Sequence, residues 1–248
     1  MRTLIAIPVF NEEQYVAKVL TEVRRYAKDI LVIDDGSTDQ TPHLLAQQPV
    51  DVIRHSHNRG YGRSLIDAFR WAGCTTCKYD WLITMDCDEQ HEPASLPAFY
   101  EAIERDDADI ISGSRYLNGG ASTNGTSIGS PPADRRAING TITDMVNRTL
   151  GLSLTDAFCG FKAYRVSAMR KLALNEQGYA FPLQFWVQAT AAGLRINEIP
   201  IRLIYNDPNR SFGGPLDDAA IRLGHYKEVF EKELAKFPGR FEAAVAVK

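Results

Sequence analysis

Apolar residues in the first half of the chain fall into short continuous runs, and between those runs they recur at helical spacing. Leu4 to Val9 is a run of the kind a buried strand shows, and the polar Asn11-Glu12-Glu13 closes it. Val16, Val19, Leu20 and Val23 then return every three or four residues, which is one face of an amphipathic helix. The pattern repeats. Ile30 to Ile33 predicts a second strand, Asp34-Asp35-Gly36-Ser37 breaks it, and a helix starts near Asp39, carries Pro42 in its first turn and reaches Leu45. Val50 to Arg54 predicts a third strand, and beyond Gly60 and Gly62 a helix carries Leu65, Ile66 and Phe69. Trp81 to Met85 predicts the fourth strand, Leu96 to Ile103 its helix, and Asp109 to Ser112 the fifth strand. Strands alternating with helices in this way predict an α/β fold, a mostly parallel central sheet with helices on both faces.

Beyond Arg115 the texture changes. Tyr116 to Pro132 is rich in Gly, Ser, Asn, Thr and Pro and has the length at which an irregular segment is usually functional, so it reads as an active-site lid or acceptor loop. A helix follows from about Arg135 to Leu150, with Ile138, Ile142, Met145 and Val146 on its apolar face and a stop at Gly151. Ala157 to Tyr164 and Ile196 to Ile204 predict later strands, with a helical segment around Phe185 to Ala192 between them. Asp207 to Pro215 reads as loop and Asp217 to Lys236 as a charged amphipathic helix. The two halves are expected to form a single domain.

Composition narrows the function. The chain has 248 residues, 44% hydrophobic and 24% charged, enough for a sizeable core. A net charge of −3 supplies no global basic field for nucleic acid. The apolar runs fall well short of the roughly 20 residues of a membrane-spanning helix, so a soluble, cytoplasmic protein is expected, with peripheral contact at a membrane face left open. Cys74 and Cys77 form a CxxC, the pattern of a redox pair or half a zinc site, but the second CxxC or His pair that a structural zinc site wants is missing and the pair reads as structural.

The chemistry concentrates after the fourth strand, at Met85-Asp86-Cys87-Asp88-Glu89-Gln90-His91-Glu92-Pro93. Two carboxylates one residue apart stand at the carboxyl end of a strand, where open α/β sheets place ligands. Such a pair suits a hard divalent cation that completes its shell with water and phosphate oxygens, and so points to a nucleotide-diphosphate donor. Helix capping or a solvated turn is the competing reading of an acidic pair. Cys87, between the acids, reads as a small side chain facing the other way. A dinucleotide fold fails on inspection: no glycine turn follows the first strand, Gly60-Tyr61-Gly62 lacks the third glycine, and there is no P-loop.

Six motifs follow one another in order: Pro8-Val9-Phe10-Asn11-Glu12-Glu13, Ile33-Asp34-Asp35-Gly36-Ser37-Thr38-Asp39, Asn58-Arg59-Gly60-Tyr61-Gly62, the Asp86 to Pro93 segment, Gly113-Ser114-Arg115-Tyr116, and Asp156 to Arg165. Together they resemble family 2 of the inverting glycosyltransferases, which have the GT-A fold, and within it the dolichol-phosphate mannose synthases; the resemblance runs from residue 3 to about residue 215. It implies that Pro8, Phe10, Glu12, Ile33 and Asp35 line a nucleotide pocket, although Asn11 and Asp34 could equally be starting helices and turns. It also implies that Asp86, Asp88 and Gln90 face Mg2+ or Mn2+, with Cys87 bordering the donor, and that Asp88 and Arg115 act in catalysis, Arg115 by neutralising phosphate charge. Arg135, Arg136 and Arg148 are placed to meet an anionic acceptor or to be solvated on a helix face.

By the same resemblance, residues 1–115 form the nucleotide-sugar-binding half, 116–215 a mixed acceptor half, and 216–248 a C-terminal helix and tail. The expected reaction is metal-dependent, inverting transfer of mannose from GDP-mannose to a polyprenyl, dolichyl-type phosphate at the cytoplasmic membrane face. One segment departs from the pattern. The mannose synthases share Arg-x-x-Gly-x-Ser-Lys, whereas this chain has Arg210-Ser211-Phe212-Gly213-Gly214-Pro215-Leu216, so Arg210 keeps its phosphate role and the phosphate-binding Lys is lost. A hydroxyl acceptor on a glycan or small molecule is therefore an alternative, as is a non-catalytic nucleotide-sugar-binding module.

Overall fold

A computed structural model describes residues 1–74, 79–117, 127–205 and 213–241. In chain order the elements are β1 (Thr3–Val9), α1 (Val16–Val23), β2 (Ile30–Asp34), α2 (Thr41–Leu45), β3 (Asp51–Arg54), α3 (Tyr61–Ala72), β4 (Trp81–Thr84) and α4 (Leu96–Glu104). There follow β5 (Ile110–Ser114), α5 (Ala133–Leu150), β6 (Lys162–Arg165), α6 (Val166–Met169), α7 (Phe181–Ala191), β7 (Ile196–Pro200) and α8 (Ala219–Leu234).

The strands form one seven-stranded sheet in the order β3-β2-β1-β4-β6-β5-β7. The first four pair in parallel, as alternation with helices requires, with Val9 opposite Asp34 and Ala6 opposite Thr84. The fifth does not join β4. Instead β6 is inserted between them, antiparallel to both, and Tyr164 pairs with Leu82 on one side and Ile110 on the other. A four-residue buried strand carries no sequence signal of its direction, so the pattern of apolar runs does not distinguish this order from a simple parallel succession.

Period-two alternation in β1 sends Leu4 and Ala6 to one face and Ile5, Ile7 and Val9 to the other. The first pair packs beneath α3 with Leu31, Ile33, Ala68 and Leu82. The second set meets Val19, Leu20, Leu96 and Phe99 from α1 and α4. A further core joins α5, α7 and α8 through Ile142, Val146, Phe185, Trp186, Tyr226 and Phe230. The charged helix α8 docks there through a buried polar network as well: Gln184 and Gln188 donate Nε2 hydrogens to the Glu233 carboxylate at 2.8 and 2.7 Å.

Several boundaries differ from expectation. The strand expected over Ala157 to Tyr164 begins only at Lys162, and the residues before it turn towards the ends of the neighbouring strands. Helix α7 starts at Phe181, because Pro182 in its first turn favours a start rather than an interruption. Cys74 is disulfide-bonded, and Cys77, the other half of the CxxC, lies outside the described residues. No helix among the described residues is long and apolar enough to cross a membrane.

Candidate functional site

A cleft of about 670 Å³ opens at the carboxyl ends of β1, β4 and β5. Pro8, Phe10, Glu12, Asp35, Asp86, Cys87, Asp88 and Gln90 border it from the first half of the chain, and Arg115, Tyr116, Arg135, Asn139, Phe158, Tyr179 and Tyr226 from the second. Eight of the expected site residues thus share one cavity with Arg115. Ile33 does not: it is fully buried beneath α3, since its side chain follows the pleat of β2 into the core. Arg210 lies outside the described residues.

The loops behind β1 and β2 are locked together. Asn11, at a φ of 55°, donates its N–H to Ser37 Oγ at 2.9 Å and accepts the Thr38 N–H on Oδ1 at 2.9 Å. Asp34 is fully buried and accepts the Ser37 N–H at 2.8 Å, which makes it the turn former of the Asp-Asp pair. Asp35 accepts the Arg59 and Gly60 N–H groups at 2.8 Å each and lies 2.6 Å from His55 Nδ1. Its carboxylate therefore ties the loop after β3 to the end of β2, a structural duty the sequence did not reveal.

The acidic segment turns tightly after β4. Asp88 is nearly buried and accepts the Gln90 N–H at 3.1 Å, while Glu89 between them has a φ of 59° and pairs with Lys18. Cys87 packs into the core as expected of a small side chain facing inward. Asp86 stays more open and is held from several directions. Its N–H donates to Nδ1 of buried His91 at 2.9 Å, and its carboxylate and the Tyr61 hydroxyl converge on Gly160. Burial and the Asp86 charge push the Tyr61 phenol well above its ordinary pKa, so it acts as donor. Neither His91 nor Tyr61 was given a role from sequence, although Tyr61 is marked by a glycine on each side.

Among the described residues no three His, Cys, Asp or Glu side chains converge on one point. Two carboxylates bordering an open cleft, with Gln90 beside them, fit a cation that takes one or two protein carboxylates and fills its remaining positions with water and phosphate oxygens. They do not form a closed protein cage.

On the opposite wall Arg115, just past β5, forks onto buried Asp156, with Nε to Oδ2 at 2.7 Å and Nη2 to Oδ1 at 2.9 Å. Burial pushes the Asp156 carboxyl up, but the guanidinium outweighs burial and holds it below the usual carboxylate range. The ion pair fixes the Arg115 side chain, which still borders the cleft and has no hydrogen bond on Nη1 among the described residues. Lys162 lies behind it, its Nζ donating to the Cys159 carbonyl, and burial lowers its pKa.

The three arginines of α5 separate. Arg135 reaches the cleft with Asn139, Arg136 is exposed outside it, and Arg148 stands about 20 Å further along the helix beside Asp144. Tyr61 stacks on Tyr179 at 5.9 Å, and Phe158 lies 5.1 Å from Tyr226, so this wall is aromatic as well as cationic. Arg222, almost fully buried, donates to Asp134 at 2.9 Å and to the Leu216 carbonyl at 2.7 Å. The end of the expected lid is pinned where Ile128 exchanges backbone hydrogen bonds with Leu203 and Tyr205, and residues 118–126 lie outside the described residues.

The family described as Glycosyl transferase family 2 matches residues 4–173 of the chain. An undecaprenyl-phosphate mannosyltransferase of Micrococcus luteus is 32% identical over 235 residues, covering 90% of this chain and 93% of that protein. A polyprenol monophosphomannose synthase of Mycolicibacterium smegmatis is 29% identical, covering 81% of this chain and 76% of that protein. Among solved structures, glucosyl-3-phosphoglycerate synthase of Mycobacterium tuberculosis, crystallised with Mn2+, UDP and glucosyl-3-phosphoglycerate, superposes with a TM-score of 0.67. That match covers 95% of this chain and 79% of the other at 16% identity, and it shows that the fold is GT-A.

Proposed function

Because this chain belongs to glycosyltransferase family 2, we propose that it transfers mannose from GDP-mannose, with inversion, to a polyprenyl phosphate at the cytoplasmic face of a membrane. The observation that carries this reading is the placement of Asp86 and Asp88 in the same cleft as Arg115 and Arg135. The two acids suit a cation on a diphosphate, Arg115 suits the charge of that diphosphate, and Arg135 suits a further anion. The two relatives named as polyprenyl-phosphate mannosyltransferases support the sugar and the acceptor class.

Asp86, Asp88 and Gln90 would hold Mg2+ or Mn2+, which when bound offsets the charge that builds on the departing diphosphate. Pro8, Phe10 and Glu12 border the nucleoside end of the cleft, and Asp35 shapes it by holding the Arg59-Gly60 backbone. Arg115, preset by Asp156, contributes a fixed positive charge without having to reorganise as the bond breaks. Arg135 meets the acceptor phosphate from α5, with Arg210 a further phosphate contact. A phosphate monoester, with its second pKa near about 6, is already a nucleophile at neutral pH, so its attack on the anomeric carbon requires positioning and no general base. Residues 1–115 are the donor half of one domain and residues 116–215 the acceptor half.

The test is turnover by purified protein with Mg2+ or Mn2+, a panel of nucleotide sugars and a polyprenyl phosphate. Release of nucleoside diphosphate together with a glycolipid is expected, and neither product would end the proposal. A second reading keeps the donor site and takes a hydroxyl acceptor. It is favoured by Pro215 and Leu216, which stand where the mannose synthases have Ser and Lys, and product mass separates the two.

A further inference from the structure

Three features meet above the end of β4. A Cβ placed on Gly160 would lie 2.7 Å from Asp86 Oδ2, 3.0 Å from Asp86 Oδ1 and 2.7 Å from the Tyr61 hydroxyl oxygen. The carboxylate and the phenol oxygen therefore converge on one bare Cα, close enough for the hydroxyl to be aimed at the carboxylate. Gly160 is itself held, since its carbonyl accepts the Thr84 hydroxyl at 2.7 Å. On its other side the Tyr61 ring is fixed by stacking on Tyr179, 5.9 Å away with the planes 16° apart.

The backbone around Tyr61 is built to the same end. Gly60 has a φ of 101°, and a Cβ there would stand 2.3 Å from the Gln177 carbonyl oxygen, so the segment carrying Tyr179 lies directly against the start of α3. The Arg63 N–H donates to that same carbonyl at 3.1 Å. Tyr61 thus joins a segment of the acceptor half to a carboxylate of the donor half.

We propose that Tyr61 is a positioning residue for the divalent-cation site: its hydroxyl, seated with Asp86 over Gly160, holds the Asp86 carboxylate in the orientation a cation requires. A ligating carboxylate is itself hydrogen-bonded in most metal sites, and loss of such a partner typically weakens metal binding about 10- to 100-fold. Asp88 is held differently, by the Gln90 N–H of its own turn.

This inference rests on the donor-site reading above, and direct measurement of Mn2+ binding separates the two. Free Mn2+ is followed by electron paramagnetic resonance as it is titrated into the protein with GDP or UDP present and no acceptor. Tyr61→Phe keeps the ring and its stack and removes only the hydroxyl. It is expected to bind Mn2+ about 10-fold more weakly with an unchanged thermal midpoint in metal-free buffer. Tyr179→Ala, which removes the stack that fixes the Tyr61 ring and leaves Asp86 untouched, is expected to weaken Mn2+ in the same direction, and it decides the matter should Tyr61→Phe fold poorly. Mn2+ affinity within about twofold of the native protein in a folded variant overturns the role of Tyr61. Native protein that binds no Mn2+ with either nucleotide overturns the donor-site reading as well.

Discussion

Arg115 and Asp156 form a two-point fork at the wall of the cleft, Nε to Oδ2 at 2.7 Å and Nη2 to Oδ1 at 2.9 Å, and the Arg115 backbone N–H adds a third contact to Oδ2 at 3.2 Å. Asp156 is 1% exposed, so removing it leaves a largely buried guanidinium without its counter-charge. Asp156→Ala is expected to lower stability by about 3–5 kcal/mol in urea denaturation. Arg115→Lys keeps a charge but loses the fork, and should cost turnover more than stability. The pH dependence has a definite sign. The folded pKa of Asp156 lies below its unfolded value, so its contribution is complete above about pH 4 and fades as pH falls through the folded value.

A second clamp at the other end of β5 offers a cleaner acid test, away from the cleft. Asp109 accepts from Arg195 Nε at 3.1 Å and Nη2 at 3.0 Å and from Arg165 Nε at 3.1 Å. The Arg195 hydrogen bonds first, against some desolvation, bring its pKa down to about 2. Arg195 is half exposed and water screens the pair, so Asp109→Asn should cost about 1 kcal/mol at pH 6, less than the full shift would imply. That cost should shrink as pH falls from about 4 towards 2, measured as the difference in urea midpoint between the two proteins across that range.

Glycines at the donor loop and in α5 should respond in opposite ways. Gly60→Ala would drive a methyl group to 2.3 Å from the Gln177 carbonyl oxygen at a φ of 101°, and should destabilise by about 1–3 kcal/mol or more. A Cβ added at Gly140, inside α5, would meet nothing within 4 Å, so Gly140→Ala should raise stability by about 0.5–1 kcal/mol. Thermal melts of both variants would check the contrast, and equal shifts would contradict it.

The acidic pair can be separated from a turn-forming role by substitution. Asp88→Asn retains an oxygen for the Gln90 N–H, seen at 3.1 Å, and removes the charge. Metal-dependent release of nucleoside diphosphate should fall about 100-fold or more while the thermal midpoint stays put. If Asp88 serves only the turn, the Asn variant will turn over normally and only Asp88→Ala will show a loss.

Much of this site is visible in the chain because its residues lie at strand ends, and strand ends are where apolar runs stop. Asp35, Asp86 and Arg115 each follow such a run, and the structure brings all three to one cleft. Position along the chain does not report which way a side chain leaves the pleat, and Ile33 accordingly lies in the core. Nor does periodicity report long-range partners. The fork from Asp156 to Arg115, separated by 41 residues, depends on β6 entering the sheet antiparallel between β4 and β5, and the approach of Tyr61 to Asp86 on α3 lying against β4. Helix face was equally hidden: Arg135 and Arg148 belong to one helix, and only Arg135 borders the cleft.

Arg135 provides the test of acceptor chemistry. It borders the cleft from the first turn of α5 beside Asn139, across from the acidic pair, whereas Arg136 is exposed outside the cleft. A charge-assisted hydrogen bond to phosphate contributes about 1.5–3 kcal/mol, so Arg135→Ala should raise KM for a polyprenyl phosphate about 10- to 100-fold. Slow donor hydrolysis without acceptor should be unchanged, because the proposed donor site is built from Asp86, Asp88 and Arg115 and does not include Arg135. The same substitution should flatten the salt dependence of KM, since one charge leaves the acceptor wall. Arg136→Ala serves as the comparison and should leave KM near the native value. With a neutral hydroxyl acceptor neither arginine would alter KM in a salt-dependent way, and that pattern would transfer the argument from a lipid phosphate to a glycan.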